Sequence, residues 1–143
     1  MSDKQSVLIL CTGNSARSQM AEGLLKHICD STYDIFSAGT KSSIVRPEAV
    51  KAMAEINIDI SSNRSKSIEE FAGQKIDYVL TVCDNAKENC PYFPAATKLI
   101  HHAIDDPAET VGDEEIRLAA FRRVRDQIGA YFRDEFTVIL KSD

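Results

Sequence analysis

Val7-Leu8-Ile9-Leu10-Cys11-Thr12-Gly13-Asn14-Ser15-Ala16-Arg17-Ser18 is the stretch on which the reading of this chain turns. Four consecutive apolar, β-favouring residues predict a strand buried on both faces. They run straight into a polar turn, and from Ala16 the residues Met20, Leu24 and Ile28, with Ala21 and Leu25 beside them, recur at helical spacing. Strand, polar loop and helix open a βαβ unit. The alternation continues outward. Tyr33–Ser37 reads as a second strand ending at Ala38-Gly39, and Pro47 opens a helix carrying Val50, Met53, Ala54 and Ile56. Ser67-Ile68-Glu69-Glu70 has the capping-box pattern ahead of a short helical piece, and Ile76–Val82 predicts a strand running into Cys83. Lys98–Ile104 predicts another strand before Asp105-Asp106-Pro107. From Asp113, the residues Ile116, Ala120, Val124, Ile128 and Tyr131 or Phe132 share one face of a long helix. Without a Gly/Ser/Pro-rich linker, an internal repeat or a low-complexity segment, residues 1–143 read as a single α/β domain with a mainly parallel sheet.

A chain of 143 residues buries enough surface to fold without disulfides or metals, so its four cysteines need another explanation. Its 17 basic and 22 acidic residues give a net charge of −5 with no run of like charges, which argues against a nucleic-acid or anionic-membrane binder. Any anion must therefore be held by a local site. The longest apolar run near the N-terminus is Val7–Leu10, far too short for a signal-peptide core or a membrane span, so a soluble, cytoplasmic protein is expected.

In sheets of this kind ligands sit beyond the carboxyl ends of the strands. Cys11 follows the first strand, Cys83 the third and Asp106 the fourth, which gathers them at one edge. Cysteine, five residues, then Arg17 and Ser18 at the mouth of a helix suit attack on a tetrahedral oxyanion. The loop formed by Thr12, Gly13, Asn14, Ser15 and Ala16 can turn several N–H groups onto one anion, with the helix N-terminus adding its positive end. Arg17 supplies a planar fork for two oxygens. Gly13 permits a positive φ or a close approach, and Asn14 tolerates the left-handed region. The same field favours the Cys11 thiolate, the nucleophilic form, with Ser18 as a hydroxyl donor to the sulfur. A Walker-type nucleotide loop is disfavoured because no Gly-Lys-Ser/Thr follows.

Cys83 and Cys90 bracket a polar segment, expected to be exposed and mobile. The pair reads either as a transient, catalytic disulfide or as two unrelated thiols. A zinc site recruiting Cys83, Cys90, His101 and His102 is disfavoured by the wide cysteine spacing and by adjacent histidines that point apart on a strand, so no metal is expected. Cys29, near the end of the first helix, is expected to serve packing. Asp105-Asp106-Pro107 reads as a turn on its own residues.

Cys11-Thr12-Gly13-Asn14-Ser15-x-Arg17-Ser18-Gln19-Met20-Ala21-Glu22-Gly23 resembles the active-site signature of arsenate reductases built on the low-molecular-weight protein tyrosine phosphatase fold. Ser37-Ala38-Gly39, Ile58-Asp59-Ile60-Ser61, Cys83 through Pro91 and Asp105-Asp106-Pro107-Ala108 follow in the family's order, so the resemblance covers nearly the whole chain. It implies a central four-stranded parallel sheet flanked by helices on both faces. It also implies a three-cysteine relay: Cys11 attacks arsenate held by the loop and Arg17, Asp106 protonates the departing oxygen, Cys83 attacks Cys11, and Cys90 resolves the bond to leave Cys83–Cys90. Thioredoxin is the external donor the resemblance implies, a glutaredoxin system being the alternative that the Cys83/Cys90 pair disfavours, with no tightly bound cofactor. Phosphate or sulfate would act as arsenate analogues, and a monomer is expected.

Three departures from the family matter. Ala108 stands where the phosphatases usually carry tyrosine, which favours reductase over phosphatase. Ala16 replaces a further loop cysteine of some members, one outside the relay. In some reductases residues matching Asn14, Glu22 and Ser37, with an aspartate, hold a potassium ion; Lys66 stands at the aspartate's position, so its ammonium is expected to replace the ion. The competing readings are a phosphatase acting on phosphomonoesters through Cys11 and Asp106, and a non-enzymatic redox-sensing or anion-binding module.

Overall fold

The apolar run at the N-terminus forms β1 (Ser6–Cys11), and Val7, Leu8, Ile9 and Leu10 are each fully buried. A strand without an exposed face needs partners on both edges. It finds them in β2 (Asp34–Gly39) and β3 (Ile76–Thr81), and β4 (Ala96–His101) completes a four-stranded sheet in the order β2-β1-β3-β4. All three pairings are parallel. The computed structural model describes residues 4–29, 32–41, 43–83, 93 and 96–141.

Side chains alternate across β1 as strand geometry requires. Val7, Ile9 and Cys11 face the larger core, closed by Met20 and Leu24 of α1 (Arg17–Cys29), Met53 of α2 (Pro47–Ala54), and Phe121, Val124 and Ile128 of α3 (Glu114–Tyr131). Leu8 and Leu10 face a smaller cluster with Phe71, Val79 and Phe93, where the 3-10 helix Ile68–Phe71 covers the sheet. Ser67 caps that turn by accepting from the Glu69 N–H at 3.2 Å. After α3 the chain continues through a π-helical turn (Phe132–Phe136) into α4 (Thr137–Lys141). Among the described residues no helix is long and apolar enough to cross a membrane.

Several expected boundaries shift. The second strand runs from Asp34 to Gly39 rather than Tyr33 to Ser37, and the fourth from Ala96 to His101 rather than Lys98 to Ile104. Helix α2 ends at Ala54, before Ile56, because Asn57 adopts a left-handed conformation (φ 64°) and its N–H closes onto the Ala54 carbonyl at 3.0 Å. Ile56 is therefore not on the buried face. Ile116 is also exposed, unlike its periodic partners in α3. It folds back over Gly112, whose φ of +146° admits no ordinary side chain, and Leu118 and Phe121 face the core in its place.

Candidate active site

The carboxyl ends of the strands gather the expected residues. Cys11 ends β1, Cys83 lies two residues beyond β3, and Asp106 follows β4 at the start of the 3-10 helix Pro107–Glu109. Leu10 is in register with Thr81, and the Val82 N–H donates to the Leu10 carbonyl at 2.9 Å. One further step along that register sets the Cys11 backbone beside Val82, the residue before Cys83, on neighbouring strand ends whose spacing is about 4.8 Å in such sheets.

Cys11 is buried, and two donors aim at its sulfur. The Asn14 N–H lies 3.2 Å away and the Ser18 hydroxyl 2.8 Å away. Ser18 already accepts from Asn14 Nδ2 at 2.7 Å, so its own proton is free for the sulfur. The Asn14 amide orientation is settled by its oxygen, which accepts from Gln19 Nε2 at 2.9 Å and from the Lys66 N–H at 2.8 Å. Asn14 itself has a φ of 49°, the left-handed geometry expected of it. One O–H and one N–H thus point at this sulfur.

Arg17 is almost fully buried. Its Nη1 donates to the Ile104 carbonyl at 3.1 Å, and Nη2 stands 3.6 Å from Asp106 Oδ2. The other Asp106 oxygen accepts from the Ala108 N–H at 3.0 Å. The turn reading and the functional reading of Asp106 therefore describe one carboxylate: one oxygen caps the turn and the other faces the arginine.

These groups surround a cavity of about 540 Å³ lined by Cys11, Thr12, Gly13, Ser15, Ala16, Arg17 and Asp106. Asn14 and Ser18 stand behind that wall, bonded to the sulfur and to one another. Thr40, Lys41, Arg46, Ala108 and Glu109 complete the lining. The first three come from the loop between β2 and α2, and no periodicity or motif distinguishes them in the sequence. Their position is set by backbone bonds, from the Lys41 N–H to the Thr12 carbonyl at 3.2 Å and from the Arg46 N–H to the Ser15 carbonyl at 2.9 Å. Gly39 lets the loop approach this closely, since a Cβ there would stand 2.6 Å from the Thr12 oxygen.

Cys83 is disulfide-bonded and completely buried, whereas Cys11 and Cys29 are free thiols. The exposure expected of the polar segment therefore does not extend to Cys83, which is enclosed where the central strand ends. Cys90 and the rest of residues 84–92 lie outside the described residues. Cys29 packs against the larger core, and burial pushes its thiol pKa up against the smaller effect of Lys141. The two histidines have separate partners: His101 Nδ1 is 2.6 Å from Thr81 Oγ1, while the His102 ring stacks on Tyr131 at 3.7 Å.

Behind the loop, Glu22 is buried and fully engaged. One oxygen accepts from Ser37 Oγ at 2.6 Å and lies 3.7 Å from Lys66 Nζ, and the other accepts from Lys26 at 2.8 Å. Ser37 in turn accepts from Asn14 Nδ2 at 2.9 Å. With two ammonium groups already on this carboxylate, the residues present fit an internal cation better than a potassium ion.

The sequence model of a family described as "Low molecular weight phosphotyrosine protein phosphatase" matches residues 6–142. The arsenate reductase of Halalkalibacterium halodurans is 47% identical over 127 residues, covering 89% of this chain and 91% of that one. That of Shouchella clausii is 46% identical over the same length and shares. A solved structure described as an arsenate reductase in the phosphate binding state superposes with a TM-score of 0.78 at 32% identity, covering 94% of this chain and 98% of the other.

Proposed function

This chain belongs to the low molecular weight phosphotyrosine protein phosphatase family, and within it we propose that it is an arsenate reductase drawing electrons from thioredoxin. The observation that carries this reading is the meeting, on adjacent strand ends, of a free thiol in an anion loop and a second cysteine held in a disulfide. A hydrolase needs only the first. Two relatives matched over 89% of this chain are themselves arsenate reductases, and a similar solved structure is an arsenate reductase in the phosphate binding state.

The geometry at Cys11, Arg17 and Asp106 supports the first step of this reaction. Loop N–H groups and the Arg17 guanidinium hold arsenate against Cys11, whose sulfur attacks arsenic as an As–O bond breaks and Asp106 supplies the proton that lets the oxygen leave as water. Cys83 then attacks the Cys11 sulfur. The S–As bond breaks with its electron pair on arsenic, which departs as arsenite and leaves a Cys11–Cys83 disulfide. Cys90 attacks Cys83, freeing the Cys11 thiolate and forming Cys83–Cys90. A thioredoxin dithiol reduces that bond and returns the two electrons that arsenic received. No bound cofactor is required, and a relay that must be kept reducible supports a cytoplasmic setting. The role is detoxification of arsenate by a single domain over residues 1–143, acting as a monomer.

Hydrolysis of phosphomonoesters through Cys11 and Asp106 is the second reading, favoured by the family description. With Ala108 on the cavity wall, none of the described lining residues offers an aromatic surface for aryl esters. Arsenate-dependent NADPH oxidation with thioredoxin and its reductase, measured beside hydrolysis of an aryl phosphate, separates the two. Cys83→Ser and Cys90→Ser should each abolish multiple reductase turnovers and spare ester hydrolysis; wild-type arsenate turnover in both variants would overturn the relay.

A further inference from the structure

Among the described residues, five charged side chains line the active-site cavity: Arg17, Lys41, Arg46, Asp106 and Glu109. Arg17 is already matched by Asp106. Without Lys41 and Arg46 the described lining would hold one cation against two carboxylates, in a chain whose net charge is −5. A doubly charged oxyanion approaching such a cavity would be repelled. Lys41 and Arg46 therefore decide the sign of the field at its mouth.

Their placement is specific. Each is tied to the anion loop by its own backbone N–H, Lys41 to the Thr12 carbonyl and Arg46 to the Ser15 carbonyl. Both side chains are exposed, and among the described residues neither has a carboxylate within ion-pair distance. Arg46 sits at the N-cap of α2 and makes no side-chain cap bond there. Ser, Thr, Asp or Asn would satisfy a helix amide at that position, and a cation there opposes the helix dipole. Local helix energetics do not explain the arginine; the cavity does.

Resting on the arsenate reductase reading, we propose that Lys41 and Arg46 are specificity-determining residues, a two-cation rim that captures the doubly charged oxyanion and delivers it to the Arg17 loop. The rim acts on encounter, before any bond to arsenic forms. It therefore governs KM and the salt dependence of kcat/KM, while kcat belongs to Cys11, Arg17 and Asp106.

The test compares wild type with Lys41→Gln, Arg46→Gln and the double variant. At low ionic strength KM for arsenate should rise about threefold to fivefold for each and about tenfold or more for both, with kcat nearly unchanged. Wild-type kcat/KM should fall as sodium chloride is added, and the double variant should lose most of that slope. Lys41→Arg and Arg46→Lys should restore the wild-type KM, which separates charge from a structural role and serves should a glutamine variant fold poorly. In parallel, inorganic phosphate should protect Cys11 of the wild type from iodoacetamide about tenfold better than it protects the double variant. Unchanged KM, salt slope and phosphate protection in the double variant would overturn the rim. Absence of arsenate turnover in wild type would instead overturn the functional reading, and the phosphate protection measurement would still decide the rim.

Discussion

The carbonyl of Ile104 accepts a 3.1 Å hydrogen bond from Arg17 Nη1, across 87 positions of sequence. It closes a chain of contacts that begins beside the nucleophile. Val82 N–H donates to Leu10, the residue before Cys11, and Ile104 N–H donates to Val82 at 3.0 Å. The strand that ends in the thiol, the strand that leads to Cys83 and the segment that leads to Asp106 thus converge on one guanidinium. Arginine at this site is aimed from behind by a backbone carbonyl and in front by Asp106.

Arg17→Lys should accordingly lower kcat/KM for arsenate by about 10²-fold or more, since an ammonium cannot span two oxygens and a carbonyl at once. It also weakens the bond to Ile104, so stability should fall by about 1–3 kcal/mol. Steady-state kinetics beside urea unfolding measures both, and wild-type kinetics in a folded variant would refute the fork.

Two glycine substitutions should separate loop geometry from general strain. Gly39→Ala places a methyl 2.6 Å from the Thr12 oxygen and 2.7 Å from the Asn14 nitrogen, both backbone atoms that cannot swing aside. The loop must shift, with about 1–3 kcal/mol lost and phosphate protection of Cys11 abolished. Gly73 has a φ of +81° but open space around it, so Gly73→Ala should lower stability by about 1 kcal/mol and leave activity intact. Equal activity in the two variants would contradict the close approach at Gly39.

Potassium offers a different check. Lys66 faces the buried Glu22 that holds Ser37, and Ser37 holds Asn14 behind the thiol. Turnover should be indifferent to exchange of sodium for potassium at constant ionic strength, and Lys66→Ala should create a potassium requirement. A several-fold gain on adding potassium to the wild type would show that the ammonium does not replace the ion.

Acid should weaken the fold partly through His102. Burial holds its pKa below the usual histidine value, with His101 pushing the same way and Glu135 opposing. The unfolded chain therefore binds a proton more readily than the folded one. The stability His102 contributes is complete above about pH 6.5 and is lost as pH falls below that value toward the folded pKa. His102→Phe, which can keep the stack on Tyr131, should show a smaller drop in Tm between about pH 7.5 and pH 5.5 than wild type. An identical drop in the two proteins would exclude the histidine as a source.

Much of this was legible in the chain because the cues are local. The buried run Val7–Leu10, the left-handed Asn14, the Ser18 hydroxyl on the sulfur and the Ser67 cap on the 3-10 helix each follow from a few neighbouring residues. The apolar period failed at Ile56 and Ile116 because Asn57 ends one helix early and Gly112 offers the other side chain a closer surface than the core. Burial of Cys83 was equally hidden, since polarity of the following residues says nothing about what encloses the end of a central strand.

By itself, then, the sequence determined the alternation of strands and helices, the anion loop and the edge of the sheet at which the thiols and Asp106 assemble, all set by periodicity and short-range backbone preference. Only the tertiary structure decided what faces Arg17, what occupies Glu22 and which cations rim the cavity. Those contacts join residues tens of positions apart, and nothing in a linear pattern specifies which carbonyl a guanidinium or a loop amide will meet once the strands have paired.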